Sequence, residues 1–121
     1  MDKLKEFEYF HDWNLEVIAT RDRHKLIVVL ECGGQRAALS FNKTSRCTIE
    51  HFGVANNIVF EVKVLKSGDA NYDLALSMLS KSERFSKIPG RQIAMIVATA
   101  GAELAVEFDS IEITLESPNV G

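Results

Sequence analysis

Apolar side chains fall on every second position through most of this chain, and that spacing constrains the fold more than any other feature. Leu15 and Val17 alternate with Asn14, Glu16 and Ile18. After the polar break Arg21-Asp22-Arg23-His24-Lys25 comes a continuous apolar run, Leu26 to Leu30, short enough for a buried strand. Gly33-Gly34 is a two-residue turn signal. Ala37, Leu39 and Phe41 then alternate with Arg36, Ala38 and Ser40, so the three segments read as a meander. Cys47 and Ile49 lead into a loop at His51-Phe52-Gly53. Ile58 to Leu65 is the clearest strand, with Ile58, Phe60, Val62 and Val64 on one face and Val59, Glu61, Lys63 and Leu65 on the other. A face that mixes charge with apolar groups suits a half-exposed strand.

One window breaks the alternation. From Asp69 to about Ser80 the apolar residues Tyr72, Ala75, Leu76 and Leu79 follow the i, i+3, i+4, i+7 spacing of one helical face. Asp69 is placed to cap that helix, and Asp73 suits its dipole. So short a helix persists only when packed, and a sheet face is the obvious support.

Ser82 to Gly90 is polar and loop-like. Strands resume at Gln92 to Thr99 and again from Glu103, after a turn at Ala100-Gly101. Leu104, Val106 and Phe108 share one parity, whereas Ile111, Ile113 and Leu115 share the other. A one-residue slip turns every side chain to the opposite face, so a bulge or corner at Asp109-Ser110 is predicted, restoring both sets to the core. The connections are mostly too short for crossovers, so the strands are antiparallel. The expected fold is mainly β: an antiparallel β-sandwich or strongly curved sheet of about eight strands, with one short helix near 69–80.

With 121 residues there is room for one domain, 1–121, with a core over about 10–115 and a frayed tail at 117–121. Apolar residues are 46% and charged residues 26%, which argues against disorder. No apolar run reaches the roughly 20 residues needed to span a bilayer. The opening MDKLKEFEYFHDW has no apolar signal-peptide core, so the expected location is the cytoplasm, with no membrane partner. A net charge of -3 argues against nucleic acid as a partner. Cys32 and Cys47 lack the spacing of a zinc site and read as small buried hydrophobes.

Candidate chemistry is sparse. His11-Asp12-Trp13 reads either as an acid–base pair beside an aromatic wall or as a structural element. Neighbours on a strand face opposite ways, a polar residue at a strand entrance ties down a turn, and Trp13 fills core volume, so the structural reading is preferred. Cys47 and His51 lie about 13 Å apart on an extended strand, too far for a catalytic dyad without a sharp bend. His24 reads as part of a solvated turn. No phosphate-binding glycine loop, metal motif or nucleophile elbow occurs, and no cofactor or metal is implied.

Charge is uneven. Residues 1–91 hold all 14 basic and 12 acidic residues, whereas residues 92–121 hold five acidic residues and no basic one. Glu103 and Glu107 lie opposite the first apolar set, and Glu112 and Glu116 lie opposite the second. If both sets reach the core, these four glutamates form an exposed acidic stripe. Such a stripe protects a sheet edge from aggregation or docks a basic partner.

Phe10-His11-Asp12, then Leu15 and Ile18, an alternating hairpin with Phe41, Phe52 with Asn56-Asn57-Ile58, a helix, and a Gly101-Ala102-Glu103-Leu104 strand running into Ile111-Glu112-Ile113 form a pattern over about residues 10–115. The pattern resembles small bacterial β-sandwich proteins with an FHD opening, several of which are immunity proteins of polymorphic toxin and contact-dependent growth inhibition systems. The resemblance implies a β-sandwich, a non-enzymatic role and a partner that is the C-terminal domain of a cognate toxin. Many such toxins are nucleases with basic clefts, which an acidic stripe would fill. Phe10, His11, Asp12 and Trp13 are carried over as structural residues. Two alternatives stand beside it: a binding module or homodimer using a strand edge, and a small hydrolase using His11 and Asp12 or Cys47 and His51.

Overall fold

The structure, a computed structural model, describes residues 10–84 and 88–116. Eight strands form one antiparallel sheet: β1 (Asn14–Arg21), β2 (Lys25–Cys32), β3 (Gln35–Asn42), β4 (Arg46–Glu50), β5 (Ile58–Leu65), β6 (Gln92–Ala100), β7 (Glu103–Phe108) and β8 (Ser110–Glu116). The one helix among the described residues, α1, spans Tyr72–Leu79. The sheet order is β4-β7-β6-β5-β1-β2-β3-β8. The expected tail at 117–121 lies outside the described residues.

Two short links force this sheet to curl. Asn42 ends β3 and Arg46 begins β4, so the chain between them spans at most about 14 Å. Five strands lie between β3 and β4, which in a flat sheet would put them about 29 Å apart. A second link, Asp109 alone, joins β7 to β8 across the same gap. The sheet therefore folds over on itself, and its halves, β4-β7-β6-β5 and β1-β2-β3-β8, face each other. One apolar cluster fills the space, with Leu30, Leu39 and Phe41 from one half meeting Leu104, Val106 and Phe108 from the other. The Phe41 and Phe108 rings meet edge to face at 4.9 Å. At the fold line β1 and β5 pair only at Asn14 and Ile58. Backbone bonds from Leu15 N–H to Asn57 (2.7 Å) and from Val59 N–H to Trp13 (2.8 Å) reinforce that seam.

The predicted corner at Asp109-Ser110 is present: Leu104, Val106, Phe108, Ile111 and Ile113 all contribute to the central cluster. Leu115 does not, because it lies at the outer end of β8 and is exposed. Gly33 and Gly34 both have positive φ, as the predicted two-residue hairpin requires. The β1–β2 turn is less ordinary. Asp22, Arg23 and His24 have φ of 49°, 53° and 59°, three successive L-residues in the left-handed region. Each costs roughly 1–2 kcal/mol, so the fold holds this tip against local preference.

Two strands depart from strict alternation. In β1 a bulge between Leu15 and Val17 turns Val17 outward and brings Ile18 against the core. In β5 the register shifts on either side of Val59. Val59 and Val62 consequently share the core with Val64 packed beside them, while Phe60 is exposed. The face assigned to Ile58, Phe60, Val62 and Val64 is thus corrected: an inserted residue resets the parity, which composition does not reveal.

Helix α1 lies on the outer surface of the β4-β7-β6-β5 half. Ala75, Met78 and Leu79 pack on Leu65, Ile93, Met95 and Ala105 in a second apolar cluster. Thr48 in β4 donates its hydroxyl hydrogen to the Met78 carbonyl at 2.9 Å. The helix begins three residues later than expected because Asp69 does not cap it. Its carboxylate instead accepts the Lys66 N–H at 2.7 Å and closes the preceding turn. Among the described residues, no helix is long and apolar enough to cross a membrane.

Candidate binding face

Among the described residues, no helix lies on the outer surface of the other half. Cross-strand register arranges its outward side chains in rows. Asn14, Glu31, Arg36 and Glu116 form the first, Val17, Val29, Ala38 and Thr114 the second, and Ala19, Ile27, Ser40 and Glu112 the third. The second and third rows are therefore apolar on β1 and β2 and more polar toward β8. Val17 is 44% exposed, and Ile27, Val29 and Ala38 are half-buried by their neighbours alone.

Carboxylates lie at the Glu31 end and along the β8 edge of this strip, and Arg21 and Lys25 follow it at the other end. Arg36 Nε donates to Glu16 Oε1 at 2.9 Å. Its guanidinium pKa is raised, first by that hydrogen bond and charge and then by Glu31 and Glu116. Glu31 also accepts the Gly34 N–H at 2.9 Å, which fixes its position at the hairpin. Glu112 accepts from Asn42 at 3.0 Å, and both Glu112 and Glu116 are exposed on the edge strand β8.

The predicted acidic stripe is therefore divided. Glu112 and Glu116 lie on this face, but Glu103 and Glu107 lie in β7, in the opposite half. Glu103 is half-buried and pairs with Glu50 in the β4–β7 register. Glu107 is 4% exposed and cannot present a charge to a partner. Its Oε1 accepts Arg84 Nε at 3.0 Å and the Ser45 hydroxyl at 2.5 Å. Its Oε2 lies 3.1 Å from an Arg46 guanidinium nitrogen and 3.2 Å from Arg84 Nη2. Burial by itself pushes the Glu107 carboxyl up, but hydrogen bonds from Arg84 and Ser45 and the charges of Arg46 and Arg84 outweigh it and hold the pKa below the ordinary value. Parity put Glu107 on the right face. It missed that Arg84, just after α1, reaches over that face, a tertiary contact with no local signal.

The opening motif is structural in its contacts. Phe10 and Trp13 are buried and meet edge to face at 5.2 Å. Trp13 N–H donates to the Phe10 carbonyl at 3.0 Å, and Asp12 N–H donates to the Val59 carbonyl at 2.8 Å. The segment is a turn rather than a strand, with Asp12 at φ 68°. His11 Nδ1 consequently lies 3.2 Å from Asp12 Oδ2, where strand geometry would have separated them. Both side chains are exposed, and the His11 ring rests edge-on against Phe60 at 5.4 Å.

Other pieces of the sequence pattern, Asn56-Asn57 and Gly101-Ala102, meet at the same end. The Asn57 side-chain oxygen accepts the Gly53 N–H at 2.8 Å and the Ala102 N–H at 2.9 Å. Gly101, at φ 81°, lies so close that a β-carbon there would collide with the Asn56 carbonyl and the Asn57 side chain.

Neither cysteine assembles a nucleophilic site. Cys47 is partly buried, and burial pushes its thiol up to about 12, far from the thiolate that attack requires. Cys32 is exposed rather than buried, because it ends β2 beside the hairpin glycines. Among the described residues, no group of three or more His, Cys, Asp or Glu side chains is placed to hold a metal ion.

No family model, curated protein or solved structure matches this chain.

Proposed function

We propose that this chain is a binding protein of the immunity type, which neutralises the C-terminal domain of a cognate bacterial toxin by covering a basic surface on it. The observation that carries this reading is the outer β1-β2-β3-β8 face, on which no helix lies among the described residues: an apolar strip of Val17, Ile27, Val29 and Ala38 with Glu16, Glu31, Glu112 and Glu116 beside it. An apolar centre with a charged rim is the composition of a protein interface. The carboxylates would steer a basic partner, and the apolar strip would hold it. The FHD-type sequence pattern supports the same role. Glu103 and Glu107 are left out of the contact, because the first is in the other half and the second is spent on Arg46 and Arg84.

The test begins with affinity capture from the source bacterium. The reading requires near-stoichiometric recovery of the C-terminal domain of a large secreted protein. It also requires that the purified domain lose its toxic activity when mixed with this protein. Glu112→Lys combined with Glu116→Lys should slow association at least tenfold at low salt, and Glu103→Lys should not. Full toxin activity at saturating protein would overturn the function. Unchanged association in the double variant would overturn the face.

A further inference from the structure

At the other end of the β1–β2 hairpin, away from the Gly33-Gly34 side of the sheet, the structure holds an open cavity of about 440 Å³ lined by Thr20, Arg21, Asp22, Arg23, His24, Lys25, Leu26, Thr44 and Cys47. The volume falls within the roughly 300–1,000 Å³ of small-molecule sites. Its base is made by the most buried of these residues, Leu26 and Thr44, together with the partly buried Cys47. Thr44 is locked there: its N–H donates to the His24 carbonyl at 2.6 Å and its hydroxyl to the Phe41 carbonyl at 2.9 Å. The polar atoms of the base are thereby already satisfied, which leaves an apolar floor.

The rim is cationic. Arg21, Arg23 and Lys25 line it, and Lys43 is the neighbour of Thr44. Among the described residues, none of these four has an ion-pair partner. Arg36, Arg46, Arg84 and Lys81 are by contrast each paired with a carboxylate. Asp22 is the one acid of the lining. The left-handed conformation of Asp22, Arg23 and His24 sets the curl of the tip that carries this charge, and such strained backbone is found at ligand sites.

We propose that this cavity binds a small amphipathic anion: a ligand with an apolar body for the Leu26–Thr44–Cys47 floor and a carboxylate or phosphate head for the Arg21, Arg23 and Lys25 rim. An apolar floor alone would accept neutral hydrocarbons equally, and a cationic rim alone would accept free phosphate. Their combination selects molecules that carry both parts. The site does not depend on the toxin-binding reading, because it rests on the cavity at the hairpin tip and not on the strip of Val17, Ile27, Val29 and Ala38.

Decanoate serves as the probe, with decanol and inorganic phosphate as partial ligands, followed by amide chemical shifts and calorimetry on the whole chain. Decanoate should bind saturably at one site and shift the amides of Leu26, Thr44 and Cys47. Decanol and phosphate should each bind at least tenfold more weakly. Arg21→Gln combined with Arg23→Asn should weaken decanoate at least tenfold, with the amide spectrum otherwise retained, since Asn tolerates the left-handed region. A second variant, Cys47→Met, fills the floor and should block binding. Equal binding of decanol, unchanged binding in the Arg21/Arg23 variant, or no saturable binding of decanoate would each overturn the proposal.

Discussion

The two halves of the sheet treat their outer surfaces in opposite ways. On β4-β7-β6-β5 the outward residues Leu65, Ile93, Met95 and Ala105 are apolar and are sealed by Ala75, Met78 and Leu79 of α1. On β1-β2-β3-β8 the outward centre is also apolar, with Val17, Ile27, Val29 and Ala38, yet nothing from the described chain lies over it. The side chains differ in kind. The covered half uses long residues such as Leu and Met, which need a roof. The open half has Val17, Val29 and Ala38 in place of Leu and Met, with charged residues around them. The first surface is therefore a second core, and the second is a surface that can exist alone and still gain from being covered.

Removing the roof contacts should have the largest effect. Leu79→Ala deletes a fully buried side chain and should cost about 2–5 kcal/mol in urea denaturation. A loss below the cost of an ordinary surface change would show that α1 is not integral to that half.

Next comes the charge network beside the helix. Glu107→Gln should cost about 2 kcal/mol, less than a fully buried ion pair, because Arg84 is partly exposed and regains water. The same group predicts a pH dependence. Its folded pKa lies below the unfolded one, so its contribution is complete above the ordinary carboxylate value of 4.5 and is lost as the pH falls through the lower folded value. Thermal melts of the native protein should therefore show an acid-limb loss that Glu107→Gln reduces. An identical acid limb in both would assign that loss elsewhere.

The smallest effect on stability is expected on the open face. Val17→Thr with Val29→Thr should change stability by about 0.5 kcal/mol or less, while weakening binding of the proposed toxin partner at least tenfold. A stability loss comparable to that of Leu79→Ala would mean that the open half is as tightly integrated as the covered one, and would erase the contrast.

Much of the fold is legible in the sequence, and the reason differs by element. The meander β1-β2-β3 follows from alternation and one glycine turn, both local signals. The corner at Asp109 follows from a parity conflict between Leu104-Val106-Phe108 and Ile111-Ile113, which only a change of direction resolves. The bulges in β1 and β5 leave no such conflict, because Val17 and Phe60 are apolar on either face. The position of α1 is visible in its periodicity, but its start is not, since Asp69 has a closer amide to satisfy at Lys66. Of the four glutamates, Glu112 and Glu116 lie as their spacing implies. Glu107 does not serve as surface charge, because its partners Ser45, Arg46 and Arg84 come from segments up to 62 residues away.

The late arrival of β8 has a consequence for a chain emerging from the ribosome. Asn42 on β3 meets Glu112 on β8 across 70 residues of sequence. The hairpins of β1, β2 and β3 can form as soon as they are synthesised, but the outer edge of β3 then stays unpaired until residues 110–116 appear. During that interval Ala37, Leu39 and Phe41 lack Leu115, Ile113 and Ile111 beside them, and a neighbouring nascent chain could pair in place of β8. Slow codons near residue 110 should therefore lower soluble yield, because they prolong the interval in which the β3 edge is unpaired.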